Sequence, residues 1–140
     1  MTAQRVQFAK NKLQSVYWLN KKIQANKKEL AWLRSMYAPP STLITADKVQ
    51  TSIRIDKLSE LTADIIDLEH VIQDDTVRLI RTVRDIKNRI DRIPDYPQRL
   101  ILQKRYINFE KWERIASDFD MELRGVFRLH SQALQAFADI

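Results

Sequence analysis

Two apolar stripes of helical period run through the first 93 residues, and they constrain the chain to long helices more tightly than any other feature. Ala9, Val16, Ile23, Leu30 and Tyr37 recur every seven residues, and Val6, Leu13 and Leu33 widen the stripe. Asn20 and Lys27 interrupt its companion positions. This spacing predicts a helix from about Ala3 to Tyr37 with a seam suited to another helix. A second stripe follows 3,4 spacing through Leu58, Leu61, Ile65, Leu68, Ile72, Leu79, Val83, Ile86, Ile90 and Ile93. It predicts one helix of about 46 residues, roughly 70 Å long at 1.5 Å per residue. Asp75 places an acid at a core position, which makes a break near Asp74-Asp75 the lesser alternative. Pairs four apart (Asp74 with Arg78, Arg81 with Asp85, Asp85 with Arg89) are expected to carry the helix across that gap.

The punctuation between the stripes is sparse and specific. Ala38-Pro39-Pro40-Ser41 ends the first helix, because a proline ring disfavours helical geometry in the residue before it. The second helix is expected to begin between Thr42 and Asp47, with Asp47 and Gln50 as a capping box. Two long helices joined by a short Pro-Pro loop predict an antiparallel hairpin spanning residues 1–93. A hairpin of this kind leaves apolar surface uncovered, and either a homodimer or packing onto the C-terminal domain is expected to cover it. Pro94-Asp95-Tyr96-Pro97 then marks the clearest boundary, with Pro97 suited to the first position of a new helix over about 97–107.

Within the remaining segment, 94–140, residues 112–131 (WERIASDFDMELRGVFRLHS) have the apolar spacing of a helix-turn-helix. Ile115 and Ala116 face the second helix, Phe119 closes the first, and Met121 plugs the turn. Val126 and Leu129 anchor a second helix reaching about Phe137, with Ala133, Leu134 and Phe137 on the same buried face. The predicted class is therefore all-α, a long antiparallel hairpin followed by a C-terminal helix-turn-helix domain. Such a motif presents its second helix to a major groove of duplex DNA. The side chains placed to reach base edges are Glu122, Leu123, Arg124, Phe127, Arg128 and Ser131. Arg124 and Arg128 are suited to guanine or phosphate. Arg99, Lys104, Arg105 and Lys111 are the candidate backbone contacts. The competing reading pairs Arg124 and Arg128 with surface acids such as Asp118 or Glu122. Gly125, inside a predicted helix, marks either close approach of another backbone or a tolerated weak spot.

Charge complicates the DNA reading. The chain carries +6 overall, but residues 1–37 hold eight Lys or Arg against one acid. Residues 38–93 hold nine against ten, and residues 94–140 seven against seven. Basic character, which favours phosphate contact and counterion release, is thus concentrated on the first helix. There Lys10, Lys21 and Lys28 form a stripe with Trp18, Trp32 and Met36 beside it. That stripe is either a solvated face or a surface for phosphates or a protein partner.

Composition removes several classes. A single glycine and no cysteine exclude Gly-rich phosphate loops, zinc fingers and disulfide frameworks. His70 and His130 lack companions, and Asp56, Glu60, Asp64, Asp67 and Asp74 drift around a helix without converging. No metal, no cofactor, no small-molecule substrate and no catalysis are expected. Without an apolar run of membrane-spanning length or an export signal, a cytoplasmic location and no membrane contact are expected.

The segment RIDRIPDYPQRLILQKRYINFEKWERIASDFDMELRGVFRLHSQAL resembles the phage-encoded late-gene regulators related to ArpU and RinA of Gram-positive bacteria. Their C-terminal reader is similar to region 4 of sigma factors. The points of likeness are Arg99 to Leu102, Arg105-Tyr106-Ile107, Trp112 to Ala116, Val126 to His130 and Ala133-Leu134. The resemblance implies a sequence-specific DNA-binding transcription regulator of a phage or related mobile element. The family's turn carries Gly and then Ser at helix entry, where this chain has Asp120 and Glu122. Asp tolerates left-handed geometry less well than Gly, and Glu retains a possible helix cap while adding negative charge. The alternative is an interaction protein from the same kind of element. It would bind a phage or host protein, such as a small terminase subunit, through the basic hairpin. A factor binding RNA polymerase is a third possibility.

Overall fold

A computed structural model describes residues 2–37 and 48–140, with side chains from residue 52 onward in the second stretch. Among the described residues the chain is all-helical: α1 (Thr2–Tyr37), α2 (Lys48–Ile90), α3 (Tyr96–Leu102), α4 (Trp112–Asp118) and α5 (Leu123–Ala138). The Pro39-Pro40 loop and the Asp47 end of the expected capping box lie outside the described residues. The chain divides into two compact units, residues 21–77 and residues 1–20 with 78–140.

In the unit of residues 21–77, α1 and α2 pack together with opposite direction. Lys22 Nζ lies 2.9 Å from Asp75 Oδ2, and Arg34 Nη2 lies 2.7 Å from Glu69 Oε1, so the partner number falls as the α1 number rises. Ile23 and Leu30 are buried in the seam, as their seven-residue spacing predicts. Asp75 is also buried, and its Oδ2 has no hydrogen bond other than the ion contact from Lys22. The helix therefore runs unbroken through Asp74-Asp75. Lys22, rather than the expected spacing-four pairs, meets the acid there. None of Asp74–Arg78, Arg81–Asp85 or Asp85–Arg89 forms an ion pair within 4.0 Å; such exposed pairs are worth little in water.

The other unit has a continuous core. Ala9, Leu13 and Val16 from α1 meet Ile86, Ile90 and Ile93 at the end of α2. Ile101, Leu102, Tyr106, Ile115, Ala116, Val126, Leu129, Ala133, Leu134 and Phe137 complete it. Fully burying aliphatic side chains of this size is worth about 1.5–3 kcal/mol each, so this cluster is the main source of order for the helices it joins. Polar clasps add register. Arg89 lies 4.3 Å over the Phe137 ring and donates to the Phe137 carbonyl, and Arg5 donates to the Ala138 carbonyl.

Local chemistry sets the short helices. Asp95 caps α3 by accepting from the Gln98 N–H, so Pro97 falls at the second helical position rather than the first. The helix expected over 97–107 changes character at Gln103 and finishes as a π-helical turn, Gln103–Ile107, in which Asn108 N–H reaches back to Gln103 O. Phe109 follows in left-handed geometry (φ 57°), and the Glu110 N–H closes the turn on Lys104 O.

Between α4 and α5 the backbone makes a Schellman ending. Met121 N–H donates to Ala116 O, Asp120 N–H donates to Ser117 O, and Asp120 takes φ 51°. Phe119 ends α4 as expected. Met121, however, is 43% exposed and does not plug the turn; the turn is held by its own backbone. Nor does Glu122 cap α5 with its side chain, although it stands at the cap position in extended geometry.

Candidate nucleic-acid interface

α5 has a buried face and an open one. Val126, Leu129, His130, Ala133, Leu134 and Phe137 are buried against the core. Arg124, Phe127, Arg128 and Ser131, at spacings of three, four and seven, share the opposite face and are exposed. Glu122 and Leu123 are exposed at its amino end. Among the described residues neither Arg124 nor Arg128 has an ion pair or hydrogen bond, and the expected competitor Asp118 is occupied elsewhere. Gly125 marks no close backbone approach: a Cβ there would meet only the Met121 side chain, at 3.8 and 3.9 Å.

A buried polar and aromatic cluster fixes the position of α5. His130 Nε2 and the Tyr106 hydroxyl hydrogen-bond across 2.6 Å. The imidazole also meets Trp112 edge to face at 4.6 Å, and Phe127 packs edge-on against the same indole at 5.4 Å. On Trp112 rests the Arg105 guanidinium, 4.4 Å from the ring centroid, with its Nη1 donating to the Glu110 carbonyl. Burial, helped by the positive charges of Lys10 and Arg105, pushes the His130 pKa down to about 4, so the ring is neutral at physiological pH. Burial likewise raises the Tyr106 phenol to about 12. The sequence pattern does not point to this cluster, although His130 lies four residues after Val126 and three before Ala133, beside the positions expected to be buried.

The four candidate backbone contacts have different surroundings. Lys104 is 3.0 Å from Asp118 and 3.6 Å from Glu110; the Asp118 hydrogen bond raises its pKa and lowers that of Asp118. Arg105 is half-buried against Trp112, and Arg99 lies 5.4 Å from the Tyr96 ring of its own helix. Lys111, exposed at the start of α4, has no partner among the described residues. Arg114, not singled out from sequence, is exposed and contacts Glu110 at 3.5 Å.

The stripe on α1 is solvent-facing for the most part. In its unit Lys10 is half-buried and Trp18 is 65% exposed. In the other unit Lys21 and Lys28 are exposed, and Trp32 is 61% exposed. Among the described residues no group of three His, Asp or Glu side chains is arranged to hold a metal, and no helix is long and apolar enough to cross a membrane.

These features define an all-helical protein in which a long helix pair accompanies a compact three-helix segment carrying an exposed, arginine-bearing helix face. The chain belongs to the family described as protein of unknown function (DUF1492), whose model matches residues 40–138, more than two thirds of its length. Neither a curated protein nor a solved structure matches it.

Proposed function

We propose that this protein is a sequence-specific DNA-binding transcription regulator of a bacteriophage or related mobile element, working in the cytoplasm as a homodimer. In this reading α4 and α5 form a sigma region 4-like helix-turn-helix, and α5 enters the major groove of duplex DNA. The observation that carries it is the open face of α5, where Arg124 and Arg128 stand exposed and without protein partners beside Phe127 and Ser131. Two further features support it. The turn adopts the left-handed geometry at Asp120 that the motif's usual glycine serves. The aromatic cluster around Trp112 and His130 holds α5 rigidly, and a reader needs that rigidity. The resemblance of residues 89–134 to phage late regulators supplies the biological setting. Exposed Ile53, Ile55, Ile66 and Val71 on α2 are the apolar surface a second copy would cover.

Selection of a binding site from random duplexes, followed by fluorescence anisotropy with that site, tests the proposal. Arg124→Ala and Arg128→Ala are each expected to weaken binding by about 1–3 kcal/mol if they contact base edges. Unchanged affinity in the double variant overturns the assigned reading face. The second reading, an interaction protein engaging a phage or host protein through α1, is favoured by exposed Trp18 and Trp32. A stoichiometric phage protein co-purifying with the chain, without retention of DNA, would support that reading instead.

A further inference from the structure

Beside the Tyr106–His130 pair lies a cavity of about 320 Å³ lined by Gln14, Tyr17, Trp18, Arg105, Tyr106 and Phe109. Four of the six are aromatic. Tyr17 and Trp18 meet edge to face at 5.1 Å, and Tyr17 meets Phe109 likewise at 5.7 Å, so their rings form a cornered wall rather than a collapsed stack. Tyr106 is buried at the floor, whereas Trp18 is 65% exposed at the rim. The charge of the lining is one-signed: Arg105 is present and, among the described residues, no acid is. Only one of the guanidinium's hydrogen bonds is made within the protein, to the Glu110 carbonyl, out of five N–H donors.

Phe109 adds an independent observation. It adopts φ 57°, a conformation that costs a bulky residue and that glycine or asparagine would take more readily. The residue is nevertheless 37% exposed, so burial offsets only part of that strain. What the geometry does accomplish is to hold a ring on the cavity wall, edge-on to Tyr17. Strained residues of this kind gather at ligand sites.

We infer that this cavity binds a small planar aromatic molecule carrying an anionic group, with the ring set among Tyr17, Trp18 and Phe109 and the anion on Arg105. The volume suits a one- or two-ring compound, and flat rings meet aromatic walls favourably in edge-to-face or offset geometry. A neutral ring leaves the spare guanidinium donors unused, and a cation is repelled by them. Two sources share the required chemistry, aromatic carboxylates and mononucleotides.

The test uses the full chain with naphthoate and guanosine monophosphate as separate probes, and naphthalenemethanol as the uncharged control. Binding is read by calorimetry and by the indole N–H resonances of the three tryptophans. Saturable binding of one probe with a Kd at or below about 1 mM is expected, with the Trp18 signal moving and the Trp32 signal fixed. Which probe binds identifies the source. Phe109→Gly relieves the left-handed strain while removing a wall. It is expected to keep thermal stability and to weaken the probe at least about fivefold, the scale of one lost ring contact. Trp18→Ala should weaken it similarly. The inference is overturned if neither probe saturates, if naphthalenemethanol binds as well as naphthoate, if Trp18 and Trp32 shift alike, or if Phe109→Gly binds unchanged.

Discussion

Lowering the pH should loosen the seat of α5, because one buried imidazole must take up a proton. The folded His130 holds its pKa near 4 through burial and the charges of Lys10 and Arg105. In the unfolded chain the same group titrates at about 6.5. Between those values the unfolded state binds more protons, so stability is complete above about pH 6.5 and falls as pH drops toward 4. Integrating the two titrations gives a loss of about 2 kcal/mol between about pH 7 and about pH 5. Protonation does not cost the Tyr106 contact, since an imidazolium can donate to the phenol oxygen; the cost is charge in an apolar site beside two cations. Urea unfolding of the parent and of His130→Gln at the two pH values measures the difference. The variant keeps a neutral polar group near Tyr106 and removes the titration. If both proteins lose the same stability over this interval, the imidazole is not the group responsible and the account of the α5 seat is wrong.

Other perturbations probe the scaffold. Gly125→Ala should raise stability by about 1 kcal/mol, because the added methyl meets only ordinary contact with Met121 in a helix interior; a lower urea midpoint would contradict the open environment described. Asp75→Leu should be more stable than the parent by about 1 kcal/mol, since an apolar side chain replaces a buried carboxylate whose Oδ2 has only the Lys22 contact. Lys22→Met should be less stable by about as much, because it leaves that carboxylate alone; the same sign for both variants would refute the pairing.

The long helices were legible in the sequence because a buried stripe repeated over many turns is a redundant signal. α1 and α2 follow it at Ala9, Leu13, Val16, Ile23, Leu30, Ile86 and Ile90. The buried positions of residues 112–137 were legible for the same reason. Three features were not. The π-helical turn at Gln103–Ile107 changes a hydrogen bond from four residues to five while Leu102 and Tyr106 stay buried, so the apolar pattern hardly registers it. Spacing-four charges on α2 suggested ion pairs, but spacing measures opportunity, and Arg89 finds a better partner in the face and carbonyl of Phe137. The His130–Tyr106–Trp112 cluster joins residues up to 24 apart, and tertiary packing alone creates it.

The formal neutrality of residues 94–140 argued against DNA binding, yet the seven cations there are not equivalent. Lys104 and Arg114 are held by Glu110 and Asp118, Arg105 rests on Trp112, and Arg99 lies near Tyr96. Lys111, Arg124 and Arg128 have no such commitments among the described residues. If DNA meets this segment, the cations able to displace counterions number three per protomer rather than seven. At about 0.9 per neutralised phosphate, log K against log salt should then fall with a slope near −3 per bound protomer if all three meet phosphates, and near −1 if Arg124 and Arg128 address bases instead; Lys111→Ala should reduce either slope by about 1. The salt titration would be run with the stoichiometry fixed by mass measurement. A slope near −6 per protomer would mean that Lys104, Arg105, Arg99 and Arg114 abandon their partners on DNA. In that case the intramolecular contacts seen in the free protein would not define its binding surface.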